Sequence, residues 1–550
     1  MNKVAVYLQS HINGEVLVSD AARDFFATDA SVLKLKPNLI VYPRTTNDVR
    51  KVARFAWQLA EKGHALPITA RGSGTDQTGA AIGRGMVMVF PAHMSRILEI
   101  DTKSRQVRLQ PGVNFKSLQE TLHTHGLFLP PYPASYAYST IGGAIANNSA
   151  GEKSLKYGSM REWVERLEVV LANGEVIQTG RISRKELDKK KGLATFEGEV
   201  YRAVDGIVSD NADVITQYAN SIAVSKNSVG YALQDVKRRD GSIDLTPLFV
   251  GSQGTLGIIS EVILRTAPHA LSTSLAAASF ATIESALEAV ELIRPLQPSA
   301  LEMVDKHLLE FMEKHHGASP HKPLFAQGEN GETPAIILLA EFDDAKDSVR
   351  TKKAKKMMKS LEGIATQTAA TSDPDEQEVL WSIRHAAAAV VNFDQGGKAS
   401  VPFIEDGIVP QNMFRQFIDD VYDMFKRHHL EAAVWGHAGD ANIHIQPLLD
   451  LRKVGDRQKV FKLMDEYYRL VLKYGGSIAA EHNDGRLRAP YVAAQVGQEM
   501  ADLFVQLKQA FDPQGILNPG VKTGATLKEL VGIMRDEYNI AHLSEHLPRT

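Results

Sequence analysis

The chain has 550 residues, 44% of them hydrophobic and 23% charged; the length predicts two or three packed domains and the composition excludes wholesale disorder. Its 62 basic and 65 acidic residues leave a net charge of -3, so no overall positive field gathers nucleic acid, and no nucleic-acid partner is expected. With no cysteine, disulfides, thiolate zinc sites, catalytic thiols and an internal cysteine-ligated iron–sulfur cluster are all excluded.

The opening MNKVAVYLQSHINGEV has no long apolar segment, and no later stretch is apolar enough to span a bilayer, so a cytoplasmic protein is expected, with peripheral membrane contact left open. Residues 1–30 carry a helix-like pattern without chemistry. From Asn38 to Phe90, apolar runs (LIVYP, ALPITA, GMVMVF) alternate with a helical pattern over Thr46 to Lys62 and a glycine-rich turn, an αβ unit. Asn173-Gly174 predicts a hairpin between Val170 and Val176. The run LFVGSQGTLGIISEVILRTAP closes this region near Pro268.

The pattern then restarts with a strand (LSTSLAAASF), a helix (ATIESALEAVELIR) and a strand (PAIILLAEF), the last preceded by a Gly-, Pro- and His-rich loop at 316–334. Helices are expected over Asp347 to Leu361 and Gln377 to Asn392, a turn and strand over Val434 to Leu449, and a terminal helix near Ala501 to Phe511. Lys352, Lys353, Lys355 and Lys356 read as one solvated helix face. The chain thus divides into a helical extension (1–30), a first domain (31–267), a second (268–520) and a C-terminal extension (521–550).

Three glycine-rich elements adjoin strands. In PITARGSGTDQTGAA, residues 67–81, a tight turn lets backbone N–H groups converge on an anion; the spacing is neither G-x-G-x-x-G nor a Walker loop, and the turn alone fits a plain turn as well as a phosphate site. The others are PASYAYSTIGGAIANNSAGEKSLKYGS (133–159) and GSQGTLGII (251–259). Three together suggest a long polyphosphate cofactor lying against backbone.

These elements, with VYPRTTNDVRKV and LQPGV, resemble the FAD-binding domain of the vanillyl-alcohol oxidase and p-cresol methylhydroxylase (PCMH) superfamily. The resemblance implies that Arg71, Gly72, Ser73, Gly74, Thr75 and Asp76, with Gly79 nearby, hold the FAD pyrophosphate. It implies too that Pro133, Ser139, Thr140, Gly142, Asn147 and Ser149 line the flavin, with Ile259 packed near the ring. Some members attach the flavin through a histidine of the pyrophosphate loop; residues 67–81 contain none, so noncovalent FAD is expected.

In VWGHAGDANIHIQPL (434–448), His437 lies in a Gly-flanked turn, and period two puts Asn442, His444 and Gln446 on one strand face. Glu481 and His482 are adjacent in SIAAEHNDGRLRAPY. A lone histidine is ordinarily a core or surface residue, but two with a carboxylate form a ligand set suited to Zn, Mn or Fe. These stretches resemble the H-x-G-D-x-N-x-H and E-H signatures of FAD-linked D-2-hydroxy-acid dehydrogenases, the group that includes D-lactate and D-2-hydroxyglutarate dehydrogenases and the glycolate oxidase flavoprotein. FDPQGILNPG (511–520) matches a further landmark, and the resemblance spans roughly residues 35 to 520.

By that resemblance His437, His444 and Glu481 fall on metal-ligand positions, His482 on the catalytic base, and Asn442 on a polar active-site position. Arg384 falls on the arginine that grips the substrate carboxylate, a natural task for a guanidinium, and Lys398 on a basic substrate-contacting position. Two departures from the common pattern stand out: Ala441 replaces a glycine, and EHNDG replaces E-H-G-I-G. The implied fold is α+β, a two-subdomain PCMH-type FAD-binding domain followed by an α+β oxidase C-terminal domain with a ferredoxin-like antiparallel sheet. The implied activity is oxidation of a small, D-lactate-like 2-hydroxy acid to the 2-oxo acid. Without an internal cluster the electrons need an external acceptor: a quinone, a cytochrome, an electron-transfer flavoprotein, an iron–sulfur subunit or oxygen. A metal-free flavin enzyme acting on another alcohol, and a noncatalytic flavoprotein subunit of an electron-transfer complex, are the alternatives.

Overall fold

The computed structural model describes residues 3–316, 333–391 and 393–549. Most of the loop expected at 316–334, and the last residue of the helix expected to end at Asn392, lie outside them. No described helix is long and apolar enough to cross a membrane.

The first sheet has four strands in the order Glu15–Leu17, Leu39–Tyr42, Met86–Val89, Ile68–Arg71, the last three parallel. The helix Thr46–Glu61 makes their crossover; the Thr45 side chain caps it by accepting from the Asp48 N–H, and it buries Val49, Val52, Ala53 and Ala56. The N-terminal 30 residues, expected as a helical extension, hold helices Lys3–His11 and Asp20–Phe25 but also the antiparallel edge strand Glu15–Leu17. That three-residue strand is too short for a period-two pattern to register, and it pairs the open edge of Leu39–Tyr42.

The second sheet is antiparallel: Ile97–Asp101, Gln106–Leu109, Ile258–Arg265, Val164–Val170, Val176–Gln178. Its Asn173-Gly174 turn closes the Val170–Val176 pair, with Gly174 at φ +88°. These two sheets are the two subdomains of the FAD-binding part.

The third sheet has nine antiparallel strands; its central five run Ser274–Phe280, Ile336–Phe342, Ala300–Asp305, Ala432–His437, Asn442–Leu449. Helices Ile283–Ile293, Asp347–Ser360 and Phe414–His428 pack on one face, and Lys306–His316, Pro374–His385 and Ala387–Val391 on the other. Both faces are therefore covered, which is why these strands are buried throughout rather than alternating. The single helix expected over Gln377–Asn392 begins earlier, with Pro374 in its first turn and Asp373 as cap, and breaks after His385.

The C-terminal extension forms one short α-helix, Leu527–Gly532, and then runs back along the first sheet with a single 3-10 turn at Ala541–Leu543. Its backbone bonds to the 30–34 segment, Arg535 N–H donating to Val32 O and Lys34 N–H to Ile533 O.

Candidate active site

A cavity of about 910 Å³ lies between the FAD-binding part and the third sheet. Of the residues assigned to FAD, Arg71 to Asp76, Pro133, Ser139, Thr140, Gly142, Asn147, Ser149 and Ile259 all line it. Gly79 does not: a Cβ there would sit 2.8 Å from Leu33 Cδ1, so it serves packing behind the loop. Asp76 ties the loop together, accepting from the Thr78 and Ala80 N–H groups and from Asn147 Nδ2.

The loop fits an anionic cofactor. Among the described residues no protein acceptor takes the N–H groups of Ser73 through Gln77, and the buried Arg71 Nε and Nη2 have no partner, although Nη1 donates to Thr28 O and Ala81 O. Buried donors in that condition are normally satisfied by a ligand or water. Gly74 adopts φ +83°, and a Cβ there would strike the Arg71 guanidinium at 2.2 Å.

At the other end of the cavity, His437 closes strand Ala432–His437 and His444 lies in the partner strand, directly opposite Trp435. Glu481 comes from a loop whose Glu481 and His482 N–H groups both donate to the Asp406 carboxylate, at 3.1 and 2.8 Å. His437 Nε2, His444 Nε2 and Glu481 Oε1 form a triangle with sides 3.1, 3.4 and 3.4 Å. Ligands at 2.0–2.1 Å from a tetrahedral ion stand about 3.3 Å apart, so the triangle fits a first-row divalent ion. A second group, Glu405, Asp406, His444 and His482, also places one potential ligand atom of each residue within 4.8 Å of the others. Its carboxylates are already engaged, Glu405 by His482 and Arg488 and Asp406 by backbone N–H groups, so the first group has the free lone pairs.

Buried charged neighbours hold the triangle in place. Glu302, fully buried, accepts from His437 Nδ1 at 2.7 Å and from Arg384 Nε at 2.8 Å. Lys226 donates to Glu481 Oε2 at 2.7 Å and to Asn442 Oδ1 at 3.1 Å, leaving Glu481 Oε1 for the triangle. Burial raises the Glu481 pKa, but Lys226 and His437 outweigh it and hold the carboxyl well below its usual range. Five buried carboxylates (Glu302, Glu405, Asp406, Asp440, Glu481) face three Lys and Arg side chains (Lys226, Arg384, Arg488), and the two remaining negative charges fall to protonated His437 and His482 or to a divalent ion.

His482 points Nδ1 at Glu405 Oε2, 2.6 Å away, which leaves Nε2 toward the cavity, 3.9 Å from Glu481 Oε1. Burial lowers its pKa, but Glu405 with Asp406 and Glu481 pushes it up to about 10. A positive ion bound at the triangle would act in the opposite sense, back toward the range where an imidazole accepts a proton at neutral pH. Arg384 spends only Nε on Glu302; among the described residues its Nη pair has no partner, and the side chain lines the cavity.

Two assigned residues lie elsewhere. Lys398, at the start of strand Lys398–Ser400, is 52% exposed, pairs with Glu431 at 3.4 Å and does not line the cavity. Asn442 lies behind the site, its side chain bonded to Lys226 and Gly407 O. Its strand neighbour Gln446 does reach the cavity and accepts from Ser400 Oγ. Sequence reasoning missed Lys226, Glu302, Glu405, Asp406 and Arg488. Only the charged pair in FIEDGIVP and the lone Glu302 in ALEMVD, each inside an apolar run, signalled buried function; Lys226 had no local signal.

Both motif departures fall at left-handed backbone positions, Ala441 at φ +56° and Asn483 at φ +66°. Glycine is the usual choice at such positions. Asparagine tolerates the conformation, and Asn483 Nδ2 also donates to Asn147 O and Gly251 O, bridging the two domains.

Two sheets carrying glycine-rich loops, a third sheet whose His437 and His444 meet Glu481 of a neighbouring loop, and one cavity between them define an FAD-dependent oxidoreductase of the type that acts on CH–OH donors. An FAD binding domain model matches residues 37–180 and the model of the FAD linked oxidases' C-terminal domain matches 271–521. The glycolate oxidase subunit GlcD of Bacillus subtilis is 30% identical, the match covering 91% of this chain and 92% of that one. The chain belongs to the FAD-linked oxidase family. D-2-hydroxyglutarate dehydrogenase of Pantoea ananatis is 28% identical over 92% of this chain, which spans half of that protein's length. D-lactate dehydrogenase of Anaerostipes hadrus is 26% identical, over 92% of this chain and 94% of its own. Among solved structures, p-cresol methylhydroxylase (TM-score 0.68, 16% identity, covering 96% of this chain and 97% of that one) and the 4-ethylphenol oxidase of Gulosibacter chungangensis (0.67, 17%, the same coverage) share the fold.

Proposed function

We propose that the protein oxidises a small 2-hydroxy acid, D-lactate-like in size and configuration, to the 2-oxo acid. The observation that carries this reading is that the His437–His444–Glu481 triangle, the free Arg384 fork, His482 Nε2 and the glycine-rich loops all line one cavity. In this reading residues 31–267 hold noncovalent FAD through the residues assigned above, and residues 268–520 form the substrate domain.

Bound FAD supplies the two-electron acceptor, and a Zn, Mn or Fe ion on His437, His444 and Glu481 supplies Lewis acidity that lowers the hydroxyl pKa. The Arg384 Nη pair binds the substrate carboxylate in bidentate fashion. His482 Nε2 accepts the hydroxyl proton while Glu405 holds the ring in place through Nδ1. Lys226 keeps Glu481 ionised and aimed at the triangle. Lys398 has no part in this arrangement, and Asn442 acts through Lys226.

The relatives are named for glycolate, lactate and 2-hydroxyglutarate. Three described lining residues carry a Lys or Arg charge: Arg71 lies in the pyrophosphate loop, Lys153 is paired with Glu341 at 2.8 Å, and Arg384 takes the α-carboxylate. With no further cation for a distal carboxylate, and with Trp381 and Trp435 on the wall, a monocarboxylate is favoured. With no internal cluster in the chain, turnover would need an external electron acceptor, a quinone, cytochrome, electron-transfer flavoprotein or iron–sulfur subunit.

The test is anaerobic bleaching of the flavin absorbance by a panel of D- and L-2-hydroxy acids, with and without chelator treatment. Reduction by a D-monocarboxylate that is lost with chelator is the expected result. Bleaching by an alcohol lacking the carboxylate, or indifferent to chelator, would overturn the assigned roles.

A further inference from the structure

We propose that the C-terminal segment 533–548, which lies beyond both family models, is part of the FAD site: a clasp that closes the pyrophosphate-loop end of the cavity and touches the bound cofactor through Ile540 and Leu543. The inference rests on FAD occupying this cavity.

The segment is anchored on both sides of the loop. Arg535, almost fully buried, donates from Nη1 to Asp29 O and Ser31 O, and Tyr538 OH donates to Ala30 O. Ala30 N–H in turn donates to Gly74 O in the pyrophosphate loop. His542 Nε2 donates to that same Gly74 oxygen at 3.0 Å, so the tail and residue 30 grip one peptide of the loop from two directions. Beyond it, Leu547 packs on the small core of Phe26, Ile40 and Val87, and Pro548 O accepts from Tyr42 OH.

Between these anchors, Ile540, Leu543 and Ser544 form part of the cavity wall. Ile540 and Leu543 are only half-buried although their neighbours Tyr538 and His542 are buried, so their remaining apolar surface faces the cavity and is removed from water when a cofactor fills it. Because the anchors at Arg535, Tyr538 and His542 run to the loop and to residues 29–31 that support it, a cofactor held by that loop is held by the tail as well. Because coupling of this kind is reciprocal, bound FAD must also hold the tail down.

The experiment uses the full chain. FAD release is followed by recovery of free flavin fluorescence for wild type, for Ile540→Ser combined with Leu543→Ser, and for Arg535→Met, with Glu545→Ala as an exposed tail control. Release about tenfold faster in the first two variants, with the control unchanged, is expected from the loss of two apolar contacts or of the anchor. In parallel, trypsin cleavage within the tail is timed with and without FAD. Protection by FAD in wild type, abolished in the Ile540/Leu543 variant, is a readout that a purely structural role would not move. Unchanged release in both variants, or tail cleavage indifferent to FAD in wild type, would overturn the clasp. Wild-type protein that takes up no FAD at all would instead overturn the cofactor assignment, and the clasp with it.

Discussion

Glu302→Gln is the substitution that most directly probes how the site is built. The carboxylate bridges His437 Nδ1 and Arg384 Nε at 2.7 and 2.8 Å with no solvent exposure, so a single side chain fixes both the proposed metal ligand His437 and Arg384, the proposed carboxylate clamp. The amide keeps shape and volume but removes the charge. A charge-assisted hydrogen bond is roughly twice as strong as a neutral one, and a neutral one is worth about 1 kcal/mol, so each bond should weaken by roughly 1 kcal/mol. On the ligand side, loss of such a partner lowers metal affinity about 10- to 100-fold. On the arginine side, a guanidinium left buried without its counterion should bring the total loss of fold stability to about 3 kcal/mol. Competition against a chromophoric chelator reads the first quantity and urea unfolding the second, with Glu431→Gln at the surface Lys398 pair as a control that should move neither. Metal affinity within twofold of wild type, in a variant with native circular dichroism, would refute the claim that Glu302 orients His437 toward an ion.

Lys226→Met should destabilise the fold by about 3–5 kcal/mol, because Glu481 Oε2 and Asp440 lose their buried cation, and should reduce metal content measured by elemental analysis. Ala441→Gly should stabilise by about 1 kcal/mol in urea unfolding by relieving the left-handed residue. Asn483→Gly should cost roughly 1–3 kcal/mol despite the same backbone argument, since Asn147 O and Gly251 O lose their donor. His542 is lowered to about 4 by burial and by Arg71, below the ordinary histidine value, so the fold favours the neutral ring. Its contribution is therefore intact above about pH 6.5 and is lost as pH falls toward 4, by up to about 3 kcal/mol. The difference in stability between wild type and His542→Gln, measured from pH 7.5 to 4, should shrink across that window, and a pH-independent difference would refute it.

Much of the fold was readable along the chain. The helix over Thr46–Glu61 has a strong cap and a clean apolar face, and Asn173-Gly174 marks its hairpin, because both depend on neighbours within a few residues. The strand Ile336–Phe342 was legible as a short apolar run, whereas Ala300–Asp305 was not, since coverage on both faces removes the alternation that distinguishes a strand from a buried helix. The first 30 and last 30 residues both read as helix-like, yet the first holds the edge strand Glu15–Leu17 and the last is helical only over Leu527–Gly532 and Ala541–Leu543, because much of their hydrogen bonding goes to partners distant in sequence.

The sequence by itself determined the cofactor-loop elements, the residue types of the His437, His444 and Glu481 group, and the absence of any internal thiol chemistry. Each of these is a matter of local spacing or composition. Packing alone brings Lys226, Glu302, Glu405 and Arg488 around that group, leaves Lys398 outside it, and carries the tail to the glycine-rich loop at Gly74. The physical reason is that a buried charge is tolerated only where another charge meets it. The partner is chosen by proximity in the fold, from a strand or loop that can lie hundreds of residues away along the chain.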